Sequence, residues 1–336
     1  MALMKKAPLV SILMPTYNYA KFIAHSIESA LGQDLGDIEL IISDNASTDD
    51  TQAVVAPYLA DPRVRYHRNA ENIGMTPNYN RCYELMHPDS RYVIILPADD
   101  WWEPNMLSKL VAIAEADPEL TFVHCAGYKV DPEGKPLFEY MDLFAHLPSA
   151  GKHRALKELY RNNYIFAQTV LQRRSLFEQH KPYPHLYRLG FNYAPDYMLW
   201  VDIMNRGAVG YYLPEKLAYF REHPQSHTID KNIIPRLREE VRIFETAAES
   251  CPPELEGERI ANLRSRMLAL AQRLLKAGQE EEAKEILVKA ARLDPNPSLG
   301  IRIAHFIANL PLSRGIRSKL WELAENLAFR ARRSPA

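Results

Sequence analysis

The run Tyr92-Val93-Ile94-Ile95-Leu96-Pro97-Ala98-Asp99-Asp100 sets two adjacent carboxylates at the end of a β-branched and aliphatic stretch. Such a stretch reads as a fully buried strand. Trp101 and Trp102 follow, and Pro104 marks a helix start. Open α/β sheets hold ligands outside the carboxyl ends of their strands, so Asp99 and Asp100 stand where a ligand would. Side-by-side acids repel unless a cation lies between them. A hard divalent ion that keeps several waters and takes one or two carboxylates plus substrate phosphates meets that need. The plainer alternative is a solvated acidic turn capping the next helix. Two further groups of ionisable residues occur downstream. Asp196, in Ala194-Pro195-Asp196-Tyr197, precedes the apolar Met198-Leu199-Trp200-Val201, and Glu222-His223-Pro224-Gln225-Ser226-His227 follows a strand-like Tyr211 to Arg221.

Positioning these groups requires a regular scaffold, and residues 9–131 supply one. Strand patterns at 9–14, 38–43, 64–67, 92–97 and 121–130 alternate with helical patterns at 20–31, 50–60, 75–86 and 104–116. That alternation predicts βαβ units and a mostly parallel sheet flanked by helices. The turn Asp131-Pro132-Glu133-Gly134 closes the block. Residues 135–225 are less regular and rich in aromatics, with a helix near 152–162. From about 230 the composition shifts to charged helix formers, so an α/β domain over 1–229 and an all-helical region over 230–336 are expected. Within the latter, Leu274 to Ala283 and Ala290-Ala291-Arg292-Leu293-Asp294-Pro295 resemble one tetratricopeptide helix pair. One such unit cannot bury its own faces and needs a cover. A plain helical hairpin is the simpler alternative.

Composition narrows the class. At 336 residues the chain suits one large domain plus an appendage, and 47% hydrophobic with 25% charged residues is ordinary for a soluble globular protein. A net charge of -1 argues against a general nucleic-acid or membrane surface and leaves room only for local patches. Cys82, Cys125 and Cys251 are sparse and odd in number, so they form neither a disulfide framework nor a zinc set. A reducing cytoplasm is the natural reading. The N-terminal apolar run Leu9 to Met14 is too short for a signal peptide and is closed by Pro15. No stretch approaches the length of a membrane span.

Four motifs in order carry a resemblance. Val10-Ser11-Ile12-Leu13-Met14-Pro15-Thr16-Tyr17-Asn18, Ile41-Ile42-Ser43-Asp44-Asn45-Ala46-Ser47-Thr48-Asp49, Asn72-Ile73-Gly74 and Leu96-Pro97-Ala98-Asp99-Asp100 resemble the successive motifs of family-2 glycosyltransferases with a GT-A fold. The resemblance covers about residues 8–227. It implies a Rossmann-like sheet and inverting transfer of a sugar from a UDP- or dTDP-linked donor to a glycan or lipid-linked acceptor, as in bacterial surface polysaccharide synthesis. It also implies Mn²⁺ or Mg²⁺ as cofactor. By the resemblance, Asp44 accepts the N3–H of a uracil-type base; a carboxylate offers only acceptors and suits an imide N–H. An Asx turn or helix N-cap is the alternative for that residue. Pro15, Thr16 and Tyr17 form the facing wall, and Asn72 and Gly74 bring a helix N-terminus to the donor. Asp99 and Asp100 hold the ion with the diphosphate, although Pro97 stands where many members carry a first acid. The base, the Asp of a Glu-Asp pair at the head of a helix in the family, falls on Asp196, with Pro195 in place of the Glu. Tyr219-Phe220-Arg221-Glu222-His223-Pro224-Gln225-Ser226 resembles a later motif, from which Arg221 takes the diphosphate and His223 a metal position.

Two rivals come from other classes. A nucleotidyltransferase would carry a Gly-rich basic loop after the first strand, and Pro15 to Lys21 contains no Gly. A catalytically weak scaffold would work through its helical tail. A dinucleotide-dependent dehydrogenase is excluded because no Gly-x-Gly-x-x-Gly follows the first strand. Residues 301–336 combine basic side chains with an apolar, aromatic-bearing stripe. That pattern suits packing on the preceding helices, peripheral contact with the inner face of a membrane, or a homodimer contact.

Overall fold

β1 (Val10–Thr16) and β2 (Ile38–Asp44) are buried at every residue, as strands of a parallel sheet covered on both faces must be. β3 (Val64–Arg68) pairs in parallel with β2 and forms the sheet edge. Its Arg65, His67 and Arg68 blunt that edge against further pairing. β4 (Tyr92–Ile95) pairs in parallel with the other side of β1. The helices α1 (Ile23–Leu31), α2 (Thr51–Val55), α3 (Met75–Leu85) and α4 (Met106–Ala116) lie between successive strands. In α1 the buried residues Ile23, Ser26, Ile27 and Ala30 fall on one helical face. The α/β architecture expected from the alternation is therefore present, and the ends of β1, β2 and β4 lie side by side.

The computed structural model describes residues 7–139, 150–224, 226 and 230–293. Its second half departs from simple alternation. β5 (Trp101–Trp102), β6 (Phe122–Val130), β7 (Pro136–Glu139), β8 (Gly151–His153), β9 (Val170–Arg173) and β10 (Gly210–Arg221) extend the sheet. The order is β3-β2-β1-β4-β9-β6-β10-β5, with β7 on β6 and β8 on β10. β9 runs antiparallel between β4 and β6, so parallel pairing fills the first half and mixed pairing the second. The stretch expected as a strand to residue 97 ends its regular pairing at Ile95; Leu96 donates to Leu13 O, and Pro97 to Asp100 make a turn. Trp101 and Trp102 pair with Tyr219 and Ala218, a contact across more than a hundred residues. That pairing delays α4 to Met106, two residues beyond the expected start at Pro104. α5 (Leu156–Arg161), α6 (Arg174–His180) and α7 (Pro195–Asn205) complete this part.

The chain divides into two compact units, Met1–Ser226 and His227–Ala336. In the second unit, α8 (Ile233–Thr246), α9 (Glu256–Ala277) and α10 (Glu280–Arg292) pack through Leu237, Val241, Leu263, Met267, Leu274 and Leu287. Gly278, at φ 77°, ends α9 with bonds from Gly278 N to Leu275 O (3.1 Å) and Gln279 N to Leu274 O (2.9 Å). Glycine adopts that left-handed conformation without a Cβ penalty. α9 reaches back to Glu256, well before the first residue expected for the helix pair. Arg238 on α8 binds Glu282 on α10 at 2.8 and 2.7 Å. Among the described residues no helix is long and apolar enough to cross a membrane. Asp294, Pro295 and the basic stripe at 301–336 lie outside the described residues.

Candidate active site

The ends of β1 and β2 are tied together first. Asn45 N donates to Thr16 O at 2.9 Å, Asn18 N to Ser47 Oγ at 2.9 Å, and Thr48 N to Asn18 Oδ1 at 2.7 Å. Asn18 and Ala46 both sit at φ 60°, which aligns the two turns and leaves Tyr17 41% exposed beside them. Thr16 is buried and its hydroxyl has no hydrogen-bond partner. Asp44 is fully buried. Its Oδ1 accepts Ser47 N–H (2.8 Å); its Oδ2 accepts the Tyr66 hydroxyl (2.5 Å) and Arg68 Nη1 (2.9 Å). Burial, then the hydrogen bond to Asp44, pushes the Tyr66 phenol up to about 12. Both readings of Asp44 thus bear on one side chain. It makes the local turn, and one of its four acceptor lone pairs, on Oδ1, remains.

An asparagine network holds the next loop. Asn45 Nδ2 donates to Asn72 Oδ1 (2.8 Å) and Gly74 O (3.1 Å), and Asn45 Oδ1 accepts Ile73 N–H at 2.9 Å. Asn78 Oδ1 accepts Ser43 Oγ–H and Asn69 Nδ2–H, while Asn78 Nδ2 donates to Ser43 O. Gly74, at φ 90°, turns the chain into α3. Any side chain there would be strained. Asn72 and Gly74 are therefore fixed at the head of α3 beside the ends of β1 and β2.

The third piece is the turn after β4. Asp100 is buried, with Oδ1 on the Arg221 N–H (2.9 Å) and Oδ2 on Gln168 Nε2 (2.8 Å). Burial, then the charge of Asp99, holds its carboxyl well above the ordinary carboxylate range. Asp99 Oδ2 lies 3.0 Å from His223 Nε2. Arg221, expected at the diphosphate, gives most of its guanidinium to the protein. Nε donates to Asp99 O (3.0 Å) and Nη1 to Pro132 O (2.6 Å), and the group lies between the rings of Phe22 and Trp101. It fixes the acidic turn, with Nη2 facing His25 Nδ1 at 3.4 Å. Trp101 stacks on Tyr219 (4.8 Å between centroids) and Trp102 is buried, so both indoles are engaged by protein.

Asp196 lies in the first turn of α7 behind Pro195 at a helix start, and its Oδ2 accepts Asn163 Nδ2–H at 3.0 Å. The Tyr79 phenol on α3 is raised by burial, then by the fields of Asp99, Asp100 and Asp196 together. Tyr19 is raised by burial and by Asp99. A separate cavity of about 600 Å³, lined by His67, Arg68, Asn80, Arg81 and His185 among others, contains none of the three acids.

Among the described residues no group of three or more His, Cys, Asp and Glu forms a ready metal cage. The residues nonetheless fit an ion that arrives with a diphosphate. Asp99 Oδ2 and His223 Nε2 stand 3.0 Å apart, the separation of neighbouring ligands with ~2.1 Å bonds in an octahedron. Asp99 and Asp100 repel through a buried turn, which a cation would relieve.

Nothing in the sequence singles out Asn163, Gln168, Tyr79, or the Asn69 and Asn78 that complete the network around Asn45 and Asn72. For Tyr66 and Arg68 a signal existed: alternate residues at the end of β3, in register with Asp44, share one face with it.

Comparison with known proteins agrees with this geometry. Residues 11–181, just over half the chain, match the family described as Glycosyl transferase family 2. Chondroitin synthase of Escherichia coli is 35% identical over 134 residues, 40% of this chain, which spans 19% of that relative. The UDP-Glc:alpha-D-GlcNAc-diphosphoundecaprenol beta-1,3-glucosyltransferase WfaP of Escherichia coli is 26% identical over 223 residues, 66% of this chain and 81% of WfaP. S. aureus TarS 1-349 superposes with a TM-score of 0.68 at 16% identity over 96% of this chain and 91% of TarS 1-349; its complex with UDP gives 0.63. The mannosyltransferase PcManGT from Pyrobaculum calidifontis, with GDP-Man and Mn²⁺, gives 0.58 at 20% identity over 97% of this chain and 87% of its own. These structural likenesses establish a shared fold.

Proposed function

The chain belongs to glycosyl transferase family 2, and from that premise we propose that it moves a sugar from a UDP- or dTDP-linked donor to a hydroxyl of a glycan or lipid-linked acceptor, with inversion, in bacterial surface polysaccharide synthesis. The observation that carries the reading is the acidic turn after β4, where Asp99 Oδ2 faces His223 Nε2 at 3.0 Å and Asp100 is held by Gln168 and the Arg221 N–H. WfaP, by its name, acts on a diphosphoundecaprenol-linked acceptor, which supports the lipid-linked class. The catalytic part is read as residues 1–229 and the helical part as 230–336. The stripe at 301–336, outside the described residues, is read as a cover for the preceding helices, with membrane-surface contact or a homodimer contact as its alternatives.

Transfer with inversion is an in-line displacement. The acceptor oxygen bonds to the anomeric carbon as the bond to the diphosphate oxygen breaks, through an oxocarbenium-like transition state. The diphosphate leaves with the electron pair, and the acceptor proton passes to the carboxylate of Asp196. Asn163 and the first turn of α7 hold that carboxylate in place. A divalent ion, Mn²⁺ or Mg²⁺, would neutralise the leaving diphosphate, with Asp99, Asp100 and His223 as the residues that would hold it. Arg221 fixes the turn that carries both acids. At the other end of the donor, the remaining lone pair of Asp44 takes the base N3–H. Pro15, Thr16 and Tyr17 wall the base, and Asn72 and Gly74 present α3.

Release of the nucleotide, a diphosphate from UDP-, dTDP- and GDP-linked sugars and CMP from a CMP-linked sugar, with Mn²⁺, Mg²⁺ or chelator, tests the reading. Turnover of a UDP- or dTDP-sugar that chelator abolishes is expected. Preference for a GDP-sugar would overturn the base assignment, and full activity in chelator the metal role.

A further inference from the structure

Asp196 has a hydrogen-bond partner outside its own helix. That partner comes from the segment joining α5 to β9, and the same segment reaches the other acidic centre. At one end, Asn163 Nδ2 donates to Asp196 Oδ2 at 3.0 Å. At the other, Gln168 Nε2 donates to Asp100 Oδ2 at 2.8 Å. A tryptophan indole pins each end: Trp200 Nε1, on the helix that carries Asp196, donates to Ile165 O at 2.9 Å, and Trp102 Nε1, two residues after Asp100, donates to Gln168 O at 2.9 Å. Both tryptophans are buried. Ile165 N–H donates to Asn163 Oδ1 at 3.3 Å, which orients the amide with its NH₂ toward Asp196.

We propose that residues 163–168 form a strap that sets the separation between the acceptor-side and diphosphate-side acids, with Asn163 and Gln168 as positioning residues. The proposal rests on the reading of Asp196 as the base and Asp100 as a metal-side acid. An amide suits both ends. It donates a hydrogen bond to a carboxylate without adding charge, whereas a lysine or arginine would place a competing cation beside the metal position. A six-residue segment held at both ends by buried indoles has little freedom, so loss of either amide frees one acid without freeing the other. In-line transfer puts the acceptor oxygen, the anomeric carbon and the leaving oxygen on one axis, and small misplacement of a group that positions either end is costly.

The strap predicts a split between kinetic parameters that a merely structural segment would not give. The full chain and its variants are assayed on the best UDP- or dTDP-sugar of the donor panel, and binding of the matching nucleoside diphosphate with MnCl₂ is measured by calorimetry. Asn163→Ala should lower kcat about tenfold or more with nucleotide affinity unchanged. Asn163→Asp, which keeps the shape but faces Asp196 with a second carboxylate, should lower kcat further. Gln168→Ala should weaken Mn²⁺-dependent nucleotide affinity about tenfold or more. Melting temperatures identify any variant that fails to fold, and the Asp variant stands in for an unfolded Ala variant. Equal losses of kcat and affinity in both variants, or no loss in either, would overturn the strap. Asp196→Asn is run alongside. Wild-type turnover by that variant removes the base reading, whereas an inactive Asp196→Asn beside an unaffected Asn163→Ala removes the strap alone. Absence of turnover by the unaltered chain on the whole panel would overturn both.

Discussion

Asp44→Asn is the sharpest test of how the base is read. The carboxylate accepts Ser47 N–H on Oδ1 and both Tyr66 and Arg68 on Oδ2. An amide has one oxygen, so the variant must choose a side. A hydrogen bond to a charged group contributes about 1.5–3 kcal/mol and a neutral one about 0.5–1.5 kcal/mol. Arg68 is 37% exposed, and water screens its share toward the lower figure. Tyr66 adds a second donor on the same side, so the amide oxygen turns to the Oδ2 side. Its NH₂ then faces Ser47 N–H and the place of the base N3–H, a donor set against donors. The orphaned Ser47 N–H costs about 2 kcal/mol, a fall of about 4–8 °C in melting temperature for a part of this size. A uracil N3–H loses a charge-assisted bond, which weakens UDP about ten- to a hundredfold. Cytosine carries an acceptor at N3 and gains a partner, so CDP should overtake UDP. Calorimetry with UDP and CDP on both proteins reads the exchange. A lower melting temperature with UDP affinity unchanged would show that Asp44 serves the turn alone.

Asp99→Asn and Asp100→Asn should each remove most turnover while the fold survives; wild-type rates in both, with or without chelator, would sink the metal role. In the ligand-free protein the stability gap between the wild type and Asp100→Asn should change with pH, on top of the constant cost of the donor that the amide leaves without an acceptor. Burial and Asp99 raise the folded pKa of Asp100 above its unfolded value, so ionising it costs stability as pH climbs from the ordinary carboxylate range toward the folded value. Melting scans upward from about pH 4 should show the wild type losing ground to the variant, and a gap that does not change with pH would refute the argument. Asp196→Asn should cut turnover by about two to four orders of magnitude with donor affinity little changed; an undiminished rate would place the base elsewhere. Co-sedimentation with anionic vesicles, for the full chain and one ending at Pro297, tests the stripe at 301–336. Equal sedimentation of the two would exclude a membrane role for it.

The parallel half of the sheet was legible in the sequence, because β-branched runs at 9–14, 38–43 and 92–97 have no stable place but a covered strand, and the strand ends fix where Asp44 and Asp99 stand. The sequence also marked Asp196 at a helix head, because Pro195 and the apolar run after it are local signals. What those acids touch depends on long-range pairing in the folded chain. The pairing of Trp101 and Trp102 with Tyr219 and Ala218, the insertion of β9 between β4 and β6, and the turn of Arg221 back onto Asp99 all join residues far apart in the chain. No periodicity records such contacts, since they depend on how the whole sheet closes. Asn163 and Gln168 show the limit most clearly. An amide in an irregular segment carries no pattern, and its role exists only once two distant acids have been folded against it.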